Sequence, residues 1–136
     1  MPALSRLLML AAVAAAPLAA PAAAASDPLA PYRWKSRVLV ALAPRADDPA
    51  LAAQRRLFAG LGAAARERDL VLVEAADDTP RGTALRRRFG GEGFRAVLVG
   101  KDGGEKLSAA EPLGPGALFP VIDAMPMRQD EMARRR

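Results

Sequence analysis

The chain has 136 residues, with 20 Lys and Arg against 15 Asp and Glu, and it has neither cysteine nor histidine. That composition excludes a Ser-His-Asp triad, a thiol nucleophile, a disulfide staple, a thiol redox couple and a zinc-finger site. The modest positive charge suits solubility and weak steering rather than a nucleic-acid footprint. Arg6 precedes an apolar stretch from Leu7 to Ala20, and Ala23-Ala24-Ala25 offers a small-residue cleavage site before Ser26. This order predicts a secretory signal over residues 1–25, and a periplasmic or secreted domain over 26–136. The apolar stretch is shorter than the ~20 residues a spanning helix needs, so it reads as a cleaved signal, and no transmembrane span is expected in the mature chain. A domain without disulfides must be stabilised by its core alone.

Arg37-Val-Leu-Val-Ala-Leu42 is a short apolar run of the kind buried on both faces of a sheet, and Leu70-Val-Leu-Val73 and Ala96-Val-Leu-Val99 repeat it. Between the first two, Asp48 and Pro49 read as the N-cap and first position of a helix. Leu51, Gln54, Phe58, Leu61 and Ala65 recur along it at spacings of three and four. Thr79 and Pro80 open a second, shorter helix carrying Leu85 and Phe89, which Gly90-Gly91 stops. Lys101-Asp-Gly-Gly104 is hairpin chemistry, returning Glu105 to Ala109 as an antiparallel edge strand. A last apolar helix runs through Leu118, Val121, Ile122 and Met125. Pro126 ends it near Ala124 and opens a final short turn holding Gln129, Asp130 and Glu131. Pro120 implies either a late start or a kink in that helix.

The order β-α-β-α-β-β-α resembles the thioredoxin fold, an α/β domain with a mixed central sheet and helices on both faces. Four stretches resemble the exported bacterial family called domain of unknown function 4174. They are Asp27-Pro-Leu-Ala-Pro-Tyr-Arg-Trp-Lys-Ser-Arg37, Arg68-Asp69, Gly100-Lys-Asp-Gly103 and Ile122-Asp-Ala-Met-Pro-Met-Arg-Gln129. The resemblance covers Pro28 to Met132 and implies a thioredoxin-like, exported domain with no assigned activity.

In that fold, reactive thiols sit at the N-terminus of the first helix, where the dipole activates them. Here the segment is Ala43-Pro-Arg-Ala-Asp-Asp-Pro49, without sulfur, and Glu92-Gly-Phe-Arg95 lacks the substrate-presenting proline. The expected role is therefore a non-catalytic binding or adaptor module of the cell envelope, with no cofactor and an envelope protein as its partner. Its first candidate surface is Arg45, Asp47 and Asp48 with Arg95, and its second is Met125, Met127 and Arg128. An acid-base role for Asp47, Asp48, Lys101 or Asp123 has no supporting spacing. Capping accounts for adjacent acids at a helix start, where the dipole favours the carboxylate form and a general acid must hold its proton.

The rival reading is a Cu(I) site of the thioethers of Met125, Met127 and Met132, soft ligands suited to that ion. The same methionines also suit a pliable protein-binding patch. Arg86-Arg-Arg88 and Arg134-Arg-Arg136 read as solvated charge. Tyr32 and Trp34, the sole Tyr and Trp, stand two apart. In an extended segment they share a face and cover one end of the core, with a ligand platform as the lesser reading. Asp123 and Arg128 flank the proline corner at a distance that would let them pair.

Overall fold

A computed structural model describes residues 27–136; the expected signal over residues 1–25 lies outside them. A 3₁₀ turn over Ala30–Tyr32 leads into β1 (Arg37–Ala43), followed by α1 (Pro49–Leu61) and α2 (Ala63–Glu67). Next come β2 (Leu70–Ala76), α3 (Pro80–Phe89), β3 (Arg95–Val99), β4 (Glu105–Ala109), α4 (Pro115–Asp123) and α5 (Pro126–Arg134). The four strands form one mixed sheet in the order β2-β1-β3-β4. β1 runs parallel to β2 and antiparallel to β3, and β3 pairs antiparallel with β4. This is the thioredoxin-like α/β arrangement expected from the order of elements.

Every residue of the central strand β1 is buried, and alternate residues serve opposite layers. Val38, Val40 and Leu42 pack with Leu85 and Phe89 of α3. Leu39 packs on the other face with Leu61, Ala65, Leu118 and Ile122, from α1, α2 and α4. Helices thus cover both faces, and the unbroken apolar runs are explained by two-sided burial.

The predicted caps hold. Asp48 accepts from the Ala50 amide at 2.8 Å and Thr79 Oγ1 accepts from the Gly82 amide at 3.0 Å. The first helical pattern, however, is two helices, because Gly62 takes φ +51 between Leu61 and Ala63. Gln54 lies within the apolar stripe and is fully buried. Its Nε2 donates to the Leu113 carbonyl at 2.9 Å while its Oε1 accepts from the Leu113 amide at 2.7 Å. This pair of bonds fixes the loop before α4 to α1. Replacing Gln54 by leucine keeps the volume but strands both buried backbone groups of Leu113. Chemical denaturation is expected to show a loss of about 2 kcal/mol or more.

Pro120 lies inside α4, five residues after the first position Pro115. Its ring supplies no N–H to the carbonyl of its i−4 residue, Gly116, so α4 lacks that hydrogen bond. The corner is as predicted: α4 ends at Asp123, Met125 is extended at ψ 138, and Pro126 is the first residue of α5. The final helix is nine residues long rather than a short turn.

Candidate functional site

The strand ends define two opposite edges. At one, where a thioredoxin keeps its thiols, β1 ends at Ala43 and β3 begins at Arg95. Arg45 pairs with Asp47 at 3.3 Å, with both side chains about three-quarters exposed, so neither is held by the protein interior. Asp48 is engaged as the α1 cap. Arg95 turns toward β4, donating to Ser108 Oγ at 3.0 Å and lying 4.0 Å from Glu105. Its bonds do not tie it to the 45–48 loop, and the first candidate surface is not one assembled site.

At the other edge, β1 begins at Arg37, β2 begins at Leu70, and β3 ends at Val99, which pairs with Glu105 and Val38. Here α5 lays a row of charged groups against the sheet. Arg37 is 0% exposed and makes a two-pronged contact with Glu131, at 3.1 and 3.2 Å. Lys101 donates to Glu131 at 2.6 Å and to Asp69 at 2.9 Å. Arg128, 1% exposed, donates to Asp123 at 3.0 Å and to Glu67 at 3.2 Å. Arg68 grips the same Asp123 carboxylate with two bonds of 3.0 Å.

The hydrogen bonds from Arg68 are the largest influence on Asp123, and with Arg128 they hold its carboxyl below the ordinary carboxylate range. For Glu131 burial is the largest single influence and pushes the other way. The bonds from Arg37 and Lys101 together outweigh it, and this carboxyl too is held low.

The Asp123–Arg128 pair therefore forms, but Arg128 is a buried structural cation and is not available as a surface ligand. Lys101 and Asp123 likewise act as counter-ions within the network, and this geometry gives no support to an acid-base role for them. Two arginines of the basic run are engaged: Arg86 pairs with Asp77 at 2.9 Å and donates to the Gly93 carbonyl, while Arg88 reaches Asp27 and the Gly103 carbonyl; Arg87 is exposed. Arg135 of the basic tail donates to the Glu67 carbonyl at 3.1 Å.

Beside the network lies a groove of about 410 Å³ with apolar walls of Trp34, Met125, Pro126 and Met127, and with Arg37 and Lys101 among its lining residues. Trp34 does not share a core-covering face with Tyr32, because the segment is a 3₁₀ turn rather than extended. Tyr32 packs on the core, whereas Trp34 is 63% exposed and takes φ +66, with its amide donating to the Lys101 carbonyl at 2.7 Å. A left-handed backbone is strained for a bulky residue. Trp34→Gly relieves a strain of about 1–3 kcal/mol against a glycine backbone-entropy cost of about 0.5–1 kcal/mol and is expected to raise the urea midpoint; a lower midpoint would mean that the indole is needed for packing.

Met127 is 38% exposed at the groove, while Met125 packs on the α4 layer. Met132 follows Met127 by five residues on α5, which sets the two about 140° apart around the helix axis. The helix does not gather the three thioethers on one side.

A family model described as domain of unknown function (DUF4174) matches residues 28–131. The chain belongs to this family. No curated protein matches it. In this DUF4174 chain the four stretches that carry the resemblance converge in space. Trp34 and Arg37, Arg68 and Asp69, Gly100 to Asp102, Asp123, and Met125 to Arg128 all belong to the network or line the groove. Glu131, at the centre of the network, was missed by the sequence reading, as was the burial of Lys101. The available signal was the coincidence of charged residues flanking three strand ends at one edge, which becomes readable once strand directions are assigned.

Proposed function

We propose that this chain is an exported, non-catalytic binding module of the cell envelope, and that it binds through the Trp34–Met127 groove rather than through the edge where thioredoxins work. The observation that carries the reading is the exposed, strained Trp34 set against Met127 above a buried ionic network. A backbone strain held by a rigid surround is a feature of ligand clamps, and a concave apolar wall with a few fixed polar groups is the usual form of a binding site. The apolar leader before Ser26 supports export. No helix among the described residues is long and apolar enough to cross a membrane. The absence of Cys and His from the sequence, with Lys101 and Asp123 engaged as counter-ions, supports a non-catalytic role.

The test is a photoreactive side chain placed at Met127 and, separately, at Ala46, in cells expressing the full chain. A discrete adduct from Met127 in the envelope fraction is the expected result. An adduct from Ala46 alone would return the interface to the thioredoxin edge, and recovery of the protein from the cytoplasm would defeat the export claim.

A further inference from the structure

The groove has a polarity of its own. Arg37, Lys101 and Lys106 line it against one acid, Asp102, and that acid is already held by the Gly104 amide at 2.9 Å and by Lys106 at 3.0 Å. A guanidinium carries five donors and an ammonium three. Arg37 uses three, to the Arg68 carbonyl and the two Glu131 oxygens, and its Nε is buried without a partner. Lys101 uses two, to Asp69 and Glu131.

The N-terminus of α5 opens at the same place, since Pro126 and Met127 are its first residues and both line the groove. Its N-cap is Met125, and no side chain caps it. The amides of Met127 and Arg128 have no acceptor within the helix, and the dipole there favours an anion. Unused donors on buried cations and an uncapped helix end thus meet beneath an apolar rim of Trp34 and Met127.

We propose that the groove receives the C-terminal carboxylate of a partner polypeptide whose last side chain is apolar or aromatic. This rests on the reading of the groove as the binding surface. The carboxylate caps α5 and takes the unused donors, while the last side chain lies on Trp34 and Met127. A peptide fits better than a fatty acid for two reasons. The apolar wall is limited to Trp34, Met125, Pro126 and Met127, and Asp102 and Lys106 stand beside it as polar partners for a peptide unit.

Trp34 is the chain's sole tryptophan and so reports on the groove directly. Its emission is followed while acetyl-Leu-Phe, the same dipeptide as its C-terminal amide, and decanoate are titrated into the mature protein. The free acid is expected to bind saturably, with Kd at least about tenfold below that of the amide, a ratio in keeping with a charge-assisted hydrogen bond. Met127→Glu, an acid in the first turn of a helix where it is tolerated, is expected to weaken the free acid by a similar factor without lowering the unfolding midpoint. Equal binding of acid and amide would overturn the carboxylate claim and leave the groove standing as a surface. Tighter binding of decanoate would overturn the peptide in favour of a free amphiphile. No response to any probe would overturn the proposal, with cross-linking from Met127 then deciding the groove separately.

Discussion

Replacing Glu131 by glutamine is expected to destabilise the protein by about 3–5 kcal/mol, the cost typical of removing one partner from a buried ion pair. The size follows from what it leaves behind. Arg37 is fully buried and loses the carboxylate that balances it, and Lys101, nearly as buried, keeps only Asp69. The double variant Glu131→Gln with Lys101→Met removes one of the stranded charges and is expected to recover part of the loss in urea unfolding. If the two substitutions were simply additive, the network would not be the coupled unit described above.

The same residue governs acid behaviour. Asp123 and Glu131 both have carboxyls held below their ordinary values in the fold. Their stabilising contribution is therefore full above the unfolded-state values near pH 4, and it is lost as pH falls through the lower folded values. The wild-type protein is expected to lose stability steeply with acid below about pH 4.5, and Glu131→Gln more shallowly. Parallel acid profiles would contradict the assignment.

Gly82→Ala is expected to cost about 3 kcal/mol, at or beyond the upper end of ordinary overpacking. An interior glycine costs a helix about 1 kcal/mol relative to alanine, so on propensity alone the substitution should stabilise α3. Packing reverses the sign. A Cβ at Gly82 would stand 1.7 Å from the Ala76 carbonyl oxygen and 2.4 Å from its carbon, both backbone atoms at the end of β2. The start of α3 would have to lift off the sheet, carrying Leu85 and Phe89 out of their layer. A thermal midpoint raised by this substitution would show that α3 crosses β2 less closely.

Periodicity and caps made the fold legible because both are local. The three apolar runs, Asp48-Pro49, Thr79-Pro80 and the proline corner each act within a few residues, and each stands where it was expected. Gly62 was overlooked because the apolar spacing continues across it to Ala65, while the break is a backbone event visible in φ alone. The site was much less legible. Asp47 and Asp48 drew attention through their place in a thioredoxin plan, yet one is a cap and the other a solvent-side partner of Arg45.

Arg37 reads in sequence as the polar lead into a strand, Lys101 as a turn residue and Glu131 as a tail residue. Their common burial is created by α5 folding back over the starts of β1 and β2, a contact between residues as many as 94 positions apart. Trp34 was misplaced for a related reason: two-residue spacing implies a shared face only where the backbone is extended, and a 3₁₀ turn with a left-handed residue separates it from Tyr32.

The proposed function puts binding at the α5 edge and not at the edge where thioredoxins work. An amide-resolved NMR titration of the uniformly ¹⁵N-labelled mature protein with acetyl-Leu-Phe tests it most directly. Shifts are expected only at the Trp34 indole, Lys101 and Asp102, and the amides of Met127 and Arg128. Shifts gathered instead on Arg45 to Leu51 would contradict it and place the working edge where thioredoxins keep theirs.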